Sequence, residues 1–239
     1  MTHPRAGQIH LPLALPASYS RADFVAAPCN AHALHMITQG GWPAGKLVLT
    51  GPEGAGKTHL LHVWVAEQGA TLLRAQDLDG ADLPALAAQG GVALDDAGQV
   101  AGHPAREAAL FHLHNLLAAG GGQILLTARS PVRDWGLRLP DLASRLQAAA
   151  HVALAAPDDA LLAAVLTKLF ADRQVTIPDT LVPYLLPRME RSLAGAQQIV
   201  ARLDAAALAR KKPISRTLAA EILNDMDDQT DRTGTSDPE

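Results

Sequence analysis

Gly51-Pro52-Glu53-Gly54-Ala55-Gly56-Lys57-Thr58 is the stretch from which the fold of this chain is read. It fits G-x-x-x-x-G-K-[ST], the P-loop pattern. Glycines let successive backbone N–H groups turn inward and form an anion nest. Lys57 is spaced to reach the β- and γ-phosphates of a nucleotide, and Thr58 to offer its hydroxyl to Mg²⁺. A helix leaving the loop aims its positive end at the same phosphates. The flanks agree with this. Lys46-Leu47-Val48-Leu49-Thr50 has the character of a short buried strand, and His59 to Ala66 that of the following helix.

Downstream, Val92-Ala93-Leu94-Asp95-Asp96 sets three small apolar residues before two carboxylates. A buried parallel strand ending in an acid is what a P-loop site uses to hold Mg²⁺ through its waters, the Walker B arrangement. Asp95 is then the metal-side carboxylate, and Asp96 orients or deprotonates the attacking water. Alone, the same pair would serve equally well as a helix cap.

The totals narrow the class. A length of 239 residues suits one α/β domain with a smaller one appended. Apolar residues make up 48% and aromatic residues only 3%, which favours helices packed on a parallel sheet over an all-β fold. A net charge of −4 is not the footprint of a protein that grips nucleic acid over a wide surface, so no sequence-specific DNA binding is expected. The single cysteine, Cys29, excludes an internal disulfide and suits a reducing compartment. No apolar run reaches membrane-spanning length, and Pro4, Pro12 and Pro16 interrupt any leader-like run. A cytoplasmic protein without a membrane partner is expected.

Strands are expected at 71–74, 123–127 and 151–154, a loop and a first helix over 24–37, and further helices at 82–88, 105–118 and 142–146. Their alternation argues for a doubly wound parallel sheet over residues 21–156. From Pro157 the pattern becomes purely helical. Asp158 caps a first helix, Asp179 starts a second broken by Pro183 and Pro187, Arg191 opens a third, and Ser215 caps a fourth through Leu223. This predicts a helical domain over 157–224. Residues 225–239 carry six acids and one base, so a disordered acidic tail is expected. Residues 1–20 read as an extended tail. Within it, Gln8-Ile9-His10-Leu11-Pro12-Leu13 is held extended by Pro12. It either folds back on the body or enters a partner's pocket through its apolar side chains. The pairs His59/His62 and His112/His114 gather no cysteine or carboxylate in a metal-like pattern.

Taken together, the P-loop, the Asp-Asp strand, the strand ending in Thr127, the arginine after Ala143-Ser144 and the helical segment opening with an arginine resemble an AAA+ ATPase. The resemblance covers roughly residues 20–223. More narrowly, Gly56-Lys57-Thr58-His59-Leu60-Leu61 is similar to the P-loop of the DnaA replication-initiator family, and Arg191-Ser192-Leu193-Ala194-Gly195-Ala196 to its sensor 2 helix. The chain is expected to end after the helical segment, without the basic DNA-binding domain of the initiator. Gln8 to Leu13 also looks like a clamp-binding peptide. These two features point to the Hda-type inactivators within the DnaA-related branch. Pro140-Asp141-Leu142-Ala143-Ser144-Arg145-Leu146 resembles the segment that holds their arginine finger.

The resemblance implies a mechanism. Such a protein binds the DNA polymerase III β sliding clamp through Gln8, Ile9, Leu11, Pro12 and Leu13, docks against ATP-bound DnaA, and drives hydrolysis there. Arg145 is the implied finger; on its residues alone it is equally a helix-end ion pair. Arg191 would reach the chain's own ADP or ATP, His59 would lie at the same nucleotide, and Asn30 beside its adenine. Where the initiator family carries an acidic residue after the sensor 1 strand, this chain has Thr127-Ala128-Arg129-Ser130-Pro131. That departure implies weak ATP turnover of its own and ADP as a structural ligand. Self-association into a homodimer stays open. The competing classes are a DNA-contacting loader or motor with its own ATP turnover, and a P-loop nucleoside kinase.

Overall fold

A computed structural model of the chain describes residues 19–233. The peptide at 8–13 and the last residues, 234–239, lie outside them. The elements follow in the order α1 (Pro28–Gln39), β1 (Lys46–Thr50), α2 (Lys57–Gln68), β2 (Thr71–Arg74), α3 (Leu83–Ala88), β3 (Gly91–Asp95), α4 (Pro104–Gly120), β4 (Gln123–Ala128), α5 (Pro140–Gln147) and β5 (Ala150–Ala153). Four further helices are α6 (Asp159–Asp172), α7 (Leu181–Leu185), α8 (Leu193–Arg210) and α9 (Arg216–Thr233).

The five strands form one sheet in the order β2-β3-β4-β1-β5, with every pairing parallel. This is the expected α/β fold with a doubly wound parallel sheet. All five residues of β1 are buried, as a strand covered on both faces requires. Side chains alternate between the faces. Leu47 and Leu49 join a core with Leu34 and Ile37 of α1 and Leu60, Leu61 and Trp64 of α2. Val48 faces the other way, into a core with Leu110, Leu113 and Leu117 of α4 and Leu142 and Leu146 of α5. Continuous apolar runs therefore serve two cores at once.

Helices α6 to α9 build a third core around Leu162, Phe170, Leu185, Ile199 and Leu203. Asp158 caps α6, its carboxylate accepting from Leu161 N at 2.7 Å. Pro183 lies inside α7, which is only five residues long, as the prolines demand. Two expected boundaries need correction. Ser192 is the N-cap of α8, accepting from Gly195 N at 2.8 Å, so Arg191 stands just outside the helix that it was expected to open. Helix α9 continues to Thr233, so residues 225–233 are helical where a disordered tail was expected. The cause is packing. Leu218, Ala219 and Leu223 are buried in the third core and Met226 extends that contact, so elongation proceeds from an anchored nucleus. Among the described residues, no helix is long and apolar enough to cross a membrane.

Candidate functional site

The ends of β1, β3 and β4 converge on the loop between β1 and α2. Two glycines shape that loop. Gly56, at φ +98°, sits at the N-cap of α2, a conformation that L side chains rarely adopt. Gly54, at φ +70°, approaches the start of α8 so closely that an added Cβ would lie 2.3 Å from Ser192 Cβ. The amide of Leu193 donates to Gly54 O at 3.0 Å, so the helical region rests directly on the loop. A cradle of backbone N–H groups that any Cβ would fill fits a phosphate chain.

Lys57 folds over this loop. Its ammonium donates to Gly51 O at 2.8 Å and to Pro52 O at 2.7 Å. Burial pushes its pKa below the usual lysine value; Asp96 and Asp95 oppose that shift and Arg129 adds to it.

Behind the loop, Thr58 Oγ1 donates to Asp95 Oδ2 at 3.0 Å. The other carboxylate oxygen, Oδ1, accepts from Thr127 Oγ1. Thr127 Oγ1 in turn accepts from Asp96 N at 2.8 Å. Because β4 lies between β3 and β1, Thr127 at its end is fully buried and links the acidic pair to the phosphate loop. Asp96 adopts a left-handed turn at φ 53°, and its carboxylate accepts from Gln99 Nε2 at 2.6 Å. The hydroxyl of Thr58 and the carboxylate of Asp95 are hard oxygen donors suited to Mg²⁺. An Mg²⁺ there would be held by these two groups and would neutralise phosphate charge. Beyond Asp96, a cleft of about 370 Å³ opens between the ends of β3 and β4, lined by Gln99, Arg129, Ser130 and Trp135.

The remaining expected residues divide. Glu53, in the loop, pairs with Arg129 at 3.0 Å, both largely exposed. Arg191 pairs with Asp159 at 2.6 Å, also in solvent. Asn30 is buried, but both ends of its amide serve the backbone entering α1: Oδ1 accepts from Ala27 N at 2.8 Å and Nδ2 donates to Val25 O at 2.9 Å. The structure thus gives Asn30 the job of shaping that segment. His59 bonds Ser20 O at 3.1 Å and meets the rings of Tyr19 and Phe24 edge-on, while Tyr19 stacks on His62 at 4.4 Å. Burial holds the His59 pKa below its ordinary value, so its ring is neutral near pH 7 and donates from Nε2 to that carbonyl.

Arg145 lies elsewhere, near the end of α5. It is exposed, with its guanidinium carbon 5.6 Å from the centre of the Phe111 ring. Lys46 Nζ, at the first residue of β1, donates to Arg145 O at 3.2 Å. Arg145 is therefore at the sheet end opposite the phosphate loop, with about 16 Å of strand between Lys46 and Gly51. Among the described residues it makes no ion pair.

Sequence reasoning marks Thr127 only as the end of a strand and misses its bonds to Asp95 and Asp96. Glu107 of α4 leaves no signal, since it resembles a solvated helix residue yet is buried, and Lys46 opens a strand read as buried without any sign of what its ammonium meets.

No protein-family model matches the chain. Among solved structures, it is similar to domain III of the Thermotoga maritima replication initiation protein DnaA, with 19% identity over 88% of this chain and 97% of that one and a TM-score of 0.75. It is also similar to the replication initiator DnaA bound to AMPPCP and single-stranded DNA (18% identity, 82% and 69% covered, TM-score 0.69). A third similar structure is the Thermotoga maritima RuvB Holliday junction branch migration motor (17% identity, 87% and 72% covered, TM-score 0.65). The fold is that of DnaA-like AAA+ domains.

Proposed function

We propose that this chain is a nucleotide-bound AAA+ regulator of replication initiation. It binds ADP or ATP with Mg²⁺, docks on the DNA polymerase III β sliding clamp in the cytoplasm, and drives hydrolysis of ATP held by DnaA. Initiator activity falls as a result and re-initiation is prevented.

The observation that carries this proposal is the situation of Arg145. It is exposed, makes no ion pair among the described residues, and stands a strand's length from the phosphates its own loop would hold. A cation so placed is of no use to its own nucleotide. Phosphoryl transfer accumulates negative charge on the γ-phosphate oxygens, and an arginine supplied by a second protein accelerates it by about 10³ to 10⁵. The tail residues Gln8, Ile9, Leu11, Pro12 and Leu13 supply the clamp contact by their resemblance to a clamp-binding peptide.

One observation favours a second reading, a loader or motor turning over its own ATP. The set Lys57, Thr58, Asp95, Asp96 and Thr127 is assembled at the chain's own loop. The two functions separate in one experiment. The protein is mixed with ATP-loaded DnaA, with and without clamp on DNA, and bound ATP is followed over time. The regulator predicts clamp-dependent loss of DnaA-bound ATP, abolished by replacing Gln8, Leu11 and Leu13 with alanine. The motor predicts turnover by the chain alone.

A further inference from the structure

Helix α5 is only eight residues long and carries Arg145 in its last turn. A helix of this length does not hold itself in place. Leu142 and Leu146 bury its inner face in the core, and two buried charged residues from other elements hold its ends. At the entry, Glu107 of α4, 1% exposed, accepts from Arg138 N at 2.9 Å and Leu139 N at 2.8 Å through Oε2, and from Gly102 N at 3.0 Å through Oε1. At the exit, Lys46 of β1, 7% exposed, donates to the carbonyl of Arg145 itself. An ammonium at a helix C-terminus satisfies a carbonyl that has no partner within the helix and complements the helix dipole.

Lys46 is an unusual residue to bury. Burial lowers its pKa, and the nearby guanidinium of Arg145 lowers it further. Among the described residues, neither cation has a carboxylate partner. A buried lysine without a counter-charge costs stability unless its donors are well used, and Lys46 donates to the backbone of the residue proposed to act in trans. The guanidinium carbon lies 5.6 Å from the centre of the Phe111 ring on an exposed residue, open to an anion brought by another molecule.

We infer that Lys46 is a positioning residue for Arg145: it fixes the backbone from which the guanidinium reaches the phosphates of a nucleotide held by a partner. This rests on the trans-acting role proposed above for Arg145. It adds a consequence for the fold. Strand β1 ends at the chain's own phosphate loop and begins at the residue that holds Arg145, so one strand of five residues joins the two nucleotide-facing ends of the molecule.

The test compares Lys46→Met, which removes charge and donor, Lys46→Gln, which keeps a donor, and Lys46→Arg, which keeps both, in single-turnover hydrolysis of ATP bound to the partner ATPase. Misplacing a catalytic group by about 1 Å costs on the order of a hundredfold. Lys46→Met should therefore lower the maximal stimulated rate by about ten- to a hundredfold. The protein concentration giving half-maximal stimulation, and the chain's affinity for its own nucleotide, should stay within about twofold. Lys46→Arg should restore most of the rate, with Lys46→Gln between the two. A wild-type maximal rate in Lys46→Met overturns the inference. So does a loss that appears only in half-saturation, or one matched by an equal loss of own-nucleotide affinity. Arg145→Ala, run alongside, separates the two levels: if it leaves the stimulated rate intact, the trans-acting role itself fails, whereas loss in Arg145→Ala with a silent Lys46→Met overturns only the role of Lys46.

Discussion

The hydroxyl of Thr127 donates to Oδ1 of Asp95, tying the end of β4 to the end of β3 beside the phosphate loop. The hydroxyl oxygen of Thr127 also accepts from the amide of Asp96. One buried hydroxyl thus holds the carboxylate of Asp95 and the backbone of Asp96, and its loss leaves an amide and a carboxylate oxygen short of partners. Thr127→Val keeps shape but not bonding. It should cost about 1–3 kcal/mol of stability and weaken Mg²⁺-dependent nucleotide binding, with Thr127→Ser close to wild type. Denaturant unfolding and nucleotide titration with and without Mg²⁺ check this.

Gly54 joins the loop to the start of α8. A side chain there meets Ser192 and must also adopt φ near +70°. Gly54→Ala should lose about 1–2 kcal/mol to the backbone alone, push α8 off the loop, and lower nucleotide affinity at least tenfold. Binding of a fluorescent ADP analogue reads the second effect independently of stability.

Arg191 and Asp159 are both largely in solvent, so their pair contributes under about 1 kcal/mol to folding. Asp159→Asn should leave the thermal midpoint nearly unchanged. If Arg191 turns to the nucleotide when one binds, Asp159→Asn tightens ATP binding and Arg191→Ala weakens it. Equal affinities in all three proteins would remove Arg191 from the site.

His59 and His114 both have pKa values lowered from 6.5, chiefly by burial. Each ring binds a proton less readily in the folded chain, so below pH 6.5 the unfolded state holds more protons. Their contribution is therefore complete above pH 6.5 and is lost as pH falls toward and through their folded values. Thermal midpoints measured from pH 7.5 to 5.5 should drop for wild type and drop less for His114→Leu. Parallel curves would contradict this.

The fold was legible in the sequence because its signals are local. The P-loop spacing, the apolar strand of Lys46 to Thr50 and the run ending in Asp95 each declare themselves within a few residues. What stayed hidden joins residues far apart in the chain. Lys46 meets Arg145 across 99 positions, and Glu107 reaches Arg138 and Leu139 across 31 and 32. No periodicity encodes such partners. Asn30 shows the converse: a motif position can be matched while its amide is engaged by its own helix entry. The continuation of α9 past Leu223 was hidden because tertiary anchoring at Met226 outweighs local charge.

The central claim is that the useful arginine of this chain serves another protein's nucleotide. Single-turnover decay of ATP bound to DnaA, in the presence of clamp on DNA and saturating protein, tests it most directly. Arg145→Ala should bind the clamp and its own nucleotide as wild type does, yet slow that decay by on the order of a hundredfold or more. Decay at the wild-type rate with Arg145→Ala would contradict the account.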